Sequence, residues 1–536
     1  MESFFSSAEQ VNRLQASTDV YFDLVYKHSP IIKKTIAEHG ETTIAEYLAR
    51  YPLPMGNGCQ EKDDFFKVVH DYLLPIHGES IARRTVTDLS KTPVALTANH
   101  HGVDFFAQSV QGTLLFSLIL SFMDPAQSTI PVLACANVPL NNLTFPRGML
   151  LYHTAKNDCT DMPKKIPIFP DKLKTSYVSL VGPIDNAQIK RTATRIGKLV
   201  TQGELLPEYG DVLHDLFETD YSHTVSQGWQ SYSEQSVVLN HRLWNRMFAN
   251  SDMSMDLIYM ELEAIVSRLL MKDLADTSSL IYNLMFDPDI AQALLSKLDG
   301  APACWQGEKL NRRLIENCSQ NNVKKALGNC GTHFFWGVGL KNKLIPMVLE
   351  GRAPGHQLRL KGKDERGRVY TIAFNPSGII DALKNGLLLP SLFTCYTSIS
   401  LARGIGCIGG YYQSRYLPCM QQAIIDVLNK YSSMKNICNQ TVNIPTGCYL
   451  SGMQTVMTKA GENALIPAGP IEIIGRGGLN KEDVSKIKQL TIKEAHLASL
   501  VETIPDIVPF PERDRKWHQE IPMVCNALLK DKIPLV

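Results

Sequence analysis

Apolar positions recur along this chain at two different periods, and the changes of period divide it. Up to about residue 90 they return every three or four positions: Phe65, Phe66, Val68, Val69, Tyr72 and Leu73 follow the acidic pair Asp63-Asp64. Thr43-Ile-Ala-Glu46 has capping-box spacing ahead of Tyr47-Leu48. Segment 1–90 is therefore expected to be helical, with Pro75 stopping its last helix. From Lys91 to about Gly203 the period shortens. Thr92–Thr97, Ile130–Asn137, Lys165–Phe169 and Tyr177–Val181 are short apolar runs, with a long apolar segment, Phe105–Met123, after the first and a helix expected from about Asp185 to Thr201. Such alternation predicts an α/β unit with a largely parallel sheet, in which consecutive runs are neighbours.

Helical spacing returns over 204–330, in Ser233–Phe248, Leu257–Leu274 and Ser278–Leu298, and predicts a cap or scaffold. Segment 331–536 mixes both periods. His356–Lys361 and Arg368–Phe374 alternate around Lys363–Gly367 as a hairpin does, Ser377 is placed to cap a helix that Gly386 ends, and Asn480 and Thr491 open two more. The expected fold class is mixed α/β: a largely parallel sheet unit over 91–203, substantial helical insertions at 1–90 and 204–330, and an α+β region over 331–536.

Composition adds limits. At 536 residues, 44% apolar and 20% charged, the chain is globular and too long for one ordinary core. A net charge of +1 supplies no general attraction to nucleic acid. Met1–Phe5 lacks the basic start of a secretion signal, and the run Thr113–Met123 is about half of what a bilayer-spanning helix needs. A cytoplasmic protein with no membrane span is expected. The 12 cysteines, Cys59 to Cys525, form no C-x-x-C pair, so reduced thiols are expected and neither a disulfide framework nor a cysteine metal site.

The densest chemistry lies where the first strand-like run gives way to the long apolar segment: Asn99-His100-His101-Gly102-Val103-Asp104. Ligands of α/β sheets bind beyond strand C-termini, and a helix opening there offers free N–H groups. His100, His101 and Asp104 are the catalytic candidates. Their structural alternatives are a histidine capping carbonyl groups and an N-cap aspartate. Neighbouring side chains on an extended segment diverge, so one imidazole is expected to meet a pocket while the other packs inward. Asn99, Asn137 and Asn142 are amide donors for a developing oxyanion, and Arg147 is placed to hold an anionic group. Further on, His333 lies in an aromatic, glycine-rich stretch. Gly404-Ile-Gly406-Cys-Ile-Gly409 has the dinucleotide glycine spacing, but a helix at its third glycine is not expected across Tyr411–Pro418. A glycine-lined turn with Arg403 and Gln413 near a substrate is the better reading. Arg476, within Gly475–Gly478, is a candidate anion contact.

His100-His101-Gly102-Val103-Asp104 resembles the H-x-x-x-D signature of acyl-CoA-dependent acyltransferases, and His333–Gly337 is similar to a degenerate D-F-G-W-G. Asn99-His100-x-x-x-Asp104 with Phe145-Pro146-Arg147-Gly148 also resembles, one residue short and with Arg for Glu, the paired motifs of glycerolipid-type acyltransferases. The resemblance implies acyl transfer to an amine or hydroxyl of a small-molecule substrate, acyl-CoA as co-substrate, His100 as general base and Asp104 as the residue holding the loop. A metal-dependent enzyme with His100, His101 and Asp104 as ligands, or a non-catalytic interaction protein, are the alternatives.

Overall fold

The computed structural model describes residues 7–55, 62–153, 163–315, 330–351 and 357–536. Met1–Phe5, Cys59 and His356 lie outside the described residues. The class is mixed α/β. Its centre is a parallel sheet of four strands, and its short first strand β1 (Val94–Leu96) pairs with β2 (Thr129–Ala134), as consecutive runs should. Between them runs the helix Ala107–Met123, buried from Ala107 to Leu120, so its continuous apolar sequence encloses the core instead of marking a membrane span. No helix among the described residues is long and apolar enough to cross a membrane.

The next runs depart from expectation. The residues Gly148–Leu151 and Lys164–Pro167 form an antiparallel pair, β3 and β4, apart from the central sheet, and Val178–Leu180 is a turn of 3-10 helix. The third central strand instead comes from β5 (Asp256–Glu261), inside the segment expected to be helical. Its residues Leu257–Met260 are all buried, and a strand covered on both faces has the same unbroken apolar pattern as a buried helix. Real helix begins only at Leu262.

An antiparallel five-stranded sheet follows: β6 (Phe335–Gly339), β7 (Lys343–Glu350), β8 (Arg359–Lys363), β9 (Val369–Ala373) and β10 (Leu388–Pro390), with β10 beside β6. Strands β8 and β9 are the expected hairpin. The fourth central strand, β11 (Gly406–Ile408), pairs in parallel with β1, giving the order β11-β1-β2-β5. The sheet thus takes strands from three of the four sequence segments. A small pair, β12 (Met457–Lys459) and β13 (Leu465–Pro467), completes the strands described.

Capping follows the sequence at Thr43, Asp185, Asn480 and Thr491, each with a reciprocal bond from the residue three places on. Two helix signals resolve differently. Pro75 does not end its helix, which runs Asp63–Lys91 with a non-helical break at Gly78 (φ 78°). Asn375, not Ser377, caps Pro376–Lys384, because its Oδ1 accepts the Gly378 N–H and Pro376 takes the first helical position.

Candidate active site

A cavity of about 780 Å³ lies beyond the C-terminal ends of all four parallel strands. β1 runs on into Thr97, Asn99 and His100, β2 into Cys135 and Asn137, β5 into Glu263, and β11 into Gly410 and Gln413, all of which line it. Chain order reverses between β1 and β11, the crevice where open α/β sheets bind ligands. Trp305, Trp336 and Phe393, from the region of the antiparallel sheet, form part of the opposite wall.

Sheet pairing continues past β2 and fixes the histidine loop. His101 N–H donates to Cys135 O (2.8 Å), and His100 and Cys135 are paired across the two strands. Gly102 turns the chain at φ 124°, and a Cβ there would stand 2.5 Å from Pro146 Cβ. Asn240 then takes the Asp104 N–H on Oδ1 (2.9 Å) and donates Nδ2 to Gly102 O (2.8 Å).

The two imidazoles part. His101 is fully buried, outside the cavity lining, and its Nε2 faces Ser233 Oγ (2.9 Å) and the Ser233 carbonyl (3.3 Å). A carbonyl only accepts, so the proton sits on Nε2. Ser233 Oγ in turn donates to Glu261. Burial lowers the His101 pKa to about 4 and raises that of Glu261 to about 8, so a neutral ring and a protonated acid sit on either side of the hydroxyl.

His100 is half-buried and lines the cavity. Its tautomer is set two bonds away. The Thr144 backbone N–H donates to one side-chain atom of Asn142 (2.8 Å), which must be the oxygen. The other atom is then the amide nitrogen, and it donates to His100 Nδ1 at 3.2 Å. Nδ1 therefore accepts, and the neutral ring carries its proton on Nε2, for which the described residues supply no partner. Burial lowers the His100 pKa to about 4, so the ring stays neutral at ordinary pH. The site presents an N–H donor at this point, not a lone pair.

Asp104 does not reach either imidazole. Its carboxylate accepts Tyr259 OH (2.8 Å) and the Phe106 N–H (3.0 Å), which locks the loop onto the opening of the Ala107–Met123 helix. Burial pushes its pKa up to about 7. Asn99 is buried, with Nδ2 on Tyr259 OH (2.5 Å) and Thr113 Oγ1 (3.0 Å). Asn137 lines the cavity between Pro390 O (3.1 Å) and Ser179 Oγ (2.9 Å). Gln413 joins Thr97 to Tyr396 OH (2.6 Å) on the β11 side. A helix does open there, Gln413–Leu428, with Pro418 inside it, contrary to the sequence reading. Its glycines, however, lie largely in or before the strand: Gly406 is a β11 residue closely covered by Pro54.

Four candidates stand elsewhere, each held by its own partners. Arg147 binds Phe169 O (3.0 Å) and Asp171 (3.2 Å). His333 accepts the Leu349 N–H on Nδ1 (3.1 Å) and packs edge-on against Trp305. Arg403 is clamped between Asp64 and Asp273. Arg476 pairs with Asp483 (3.0 Å), and Pro470–Gly475 is a helix, so the Gly477 and Gly478 N–H groups turn back onto its final carbonyls and make no anion nest. No group of three or more His, Cys, Asp or Glu among the described residues is arranged to hold a metal ion.

Two lining groups had no signal in the sequence. Glu263 accepts the Ala136 N–H (2.8 Å), the Asn137 N–H (2.9 Å) and the Cys135 thiol (3.1 Å), and burial raises its pKa. Burial and the Glu263 charge together push the Cys135 thiol well above its ordinary value, so Cys135 stays protonated. Asp506 accepts Tyr411 OH, and burial raises its pKa as well. No family model, curated protein or solved structure matches the chain.

Proposed function

We propose that the protein is an enzyme that transfers an acyl or related carbonyl-centred group to an amine or hydroxyl of a small molecule, in the cavity at the C-terminal edge of the parallel sheet. The observation that carries this reading is the fixed tautomer of His100: a neutral ring lining the cavity, with an Nε2–H that has no partner among the described residues. An N–H preorganised in this way stabilises the oxygen of a carbonyl as negative charge develops on it. His100 is then a donor to the oxyanion, in place of the proton acceptor expected from the motif resemblance. Glu263 takes the proton: it lines the same cavity, and its raised pKa suits a general base. The acceptor's nitrogen or oxygen forms the new bond to the carbonyl carbon, and its proton passes to Glu263. The leaving group departs with the electron pair of the broken bond and takes the proton from Glu263, which returns the carboxylate to its starting state. Transfer is direct, because a thiol held as strongly protonated as Cys135 is a poor nucleophile.

The test is turnover with a panel of thioester and ester donors and of amine and alcohol acceptors, followed by mass spectrometry. His100→Ala is expected to lower turnover by about a hundredfold or more, the usual loss of one oxyanion donor. His100→Gln, which keeps an N–H donor, is expected to recover part of it. Unchanged turnover in His100→Ala rejects the proposal.

A further inference from the structure

The cavity's charge narrows what binds in it. Among the described residues lining it, Glu263 and Asp506 are acidic and none is Lys or Arg, while its histidine, His100, is neutral. Both carboxyls are held by neutral donors alone: backbone N–H groups and the Cys135 thiol for Glu263, and Tyr411 OH for Asp506. Glu263 is buried among neutral donors, while the charge of Arg513 reaches the partly buried Asp506 and works against the effect of burial there; charge held away from water in this way is costly. An anionic ligand would add to that cost, and a cation would relieve it.

Aromatic rings supply the second, independent feature. The rings of Tyr396 and Tyr416 are 5.8 Å apart on the β11 side, those of Tyr411 and Tyr412 are 4.9 Å apart beside Asp506, and Trp336 lies on the opposite wall. Ring faces attract organic cations, most strongly where water is excluded. Carboxylates and aromatic faces around one cavity form the pattern that recognises alkylated ammonium groups.

We propose that the acceptor substrate of this cavity carries an organic ammonium group apart from its attacking hydroxyl or amine, the cation being held by the charge of Glu263 and Asp506 and by the surrounding tyrosine and tryptophan rings. This rests on the cavity being the substrate site of the transfer reaction proposed above.

Calorimetric titration of the full chain with tetramethylammonium, tert-butanol and acetate tests this without any acyl donor. Tetramethylammonium is expected to bind about tenfold or more tighter than tert-butanol, a neutral molecule of similar size, with acetate weakest. Asp506→Asn is expected to reduce that preference severalfold. Equal binding of the cation and the neutral probe, tighter binding of acetate, or no saturable binding of tetramethylammonium each overturns the inference. Because no donor is present, such a failure leaves the transfer reaction to the His100 variants. A cation preference beside inactive chemistry would retain the ammonium site and remove the transferase.

Discussion

Two cavities in this molecule hold buried charge in opposite ways. In the smaller one, Arg403 is 4% exposed and spends its guanidinium on Asp64 (2.6 Å), Asp273 (2.7 Å) and the Ser398 carbonyl (3.0 Å). Burial pushes both carboxyls up: at Asp64 the guanidinium more than offsets it and leaves the group below its ordinary range, while at the more deeply buried Asp273 it offsets burial only in part. In the larger cavity the described hydrogen-bond donors to Glu263 and Asp506 are all neutral, and burial raises both carboxyls, at Asp506 against the opposing charge of Arg513. A closed ion-pair network has no valence left for a ligand. Buried groups whose needs the fold leaves partly unmet are where binding and catalysis are to be sought.

The strongest way to break the contrast is Arg403→Ala, which would strand Asp64 and Asp273 without their cation. A loss of about 3–5 kcal/mol is expected in chemical denaturation. A stability close to that of the parent would mean that Asp64 and Asp273 do not depend on this cation.

His101 offers a pH test. Its folded pKa lies near 4 against an ordinary 6.5. Between those values the unfolded chain binds a proton that the folded protein refuses, so this group's contribution falls as pH drops from 6.5 towards 4. The whole effect is about 3 kcal/mol. Gln cannot titrate, so the stability advantage of the parent over His101→Gln should shrink by up to that amount between pH 7 and pH 4. A difference that stays constant with pH would show that the buried ring is not held neutral.

The smallest effect is the sharpest. Asn142→Asp keeps an oxygen for the Thr144 N–H but replaces the donor to His100 with an acceptor. The imidazole proton should then move from Nε2 to Nδ1, and the nearby negative charge should raise the ring's pKa. Nitrogen chemical shifts of His100 report the exchange directly, and turnover should fall on the order of tenfold. An unchanged tautomer would remove Asn142 as its determinant.

The strand, loop and helix around Asn99–Asp104 were legible because β1 is short, its polar loop is dense, and a helix rich in apolar residues follows at once. Glu263 was not. β5 is covered on both faces, so periodicity reads its apolar run as helix, and the carboxylate just beyond it loses the position that would mark it as a site residue. The arginines misled for a related reason. A cation near a glycine turn looks available in sequence, but Arg147, Arg403 and Arg476 each meet a carboxylate, 24, 339 and 7 positions away respectively.

What the sequence determines alone is local: the capping pairs at Thr43, Asp185, Asn480 and Thr491, the β8–β9 hairpin, and the divergence of two adjacent histidines, all set by bonds within a few residues. Tertiary structure decides the rest. The order β11-β1-β2-β5 gathers residues near 97, 135, 263 and 410 at one edge, and a donor amide 42 positions away settles which nitrogen of His100 carries the proton. Burial and long-range hydrogen bonds, not local pattern, set which groups are left for a ligand, because desolvation depends on everything that packs around a group.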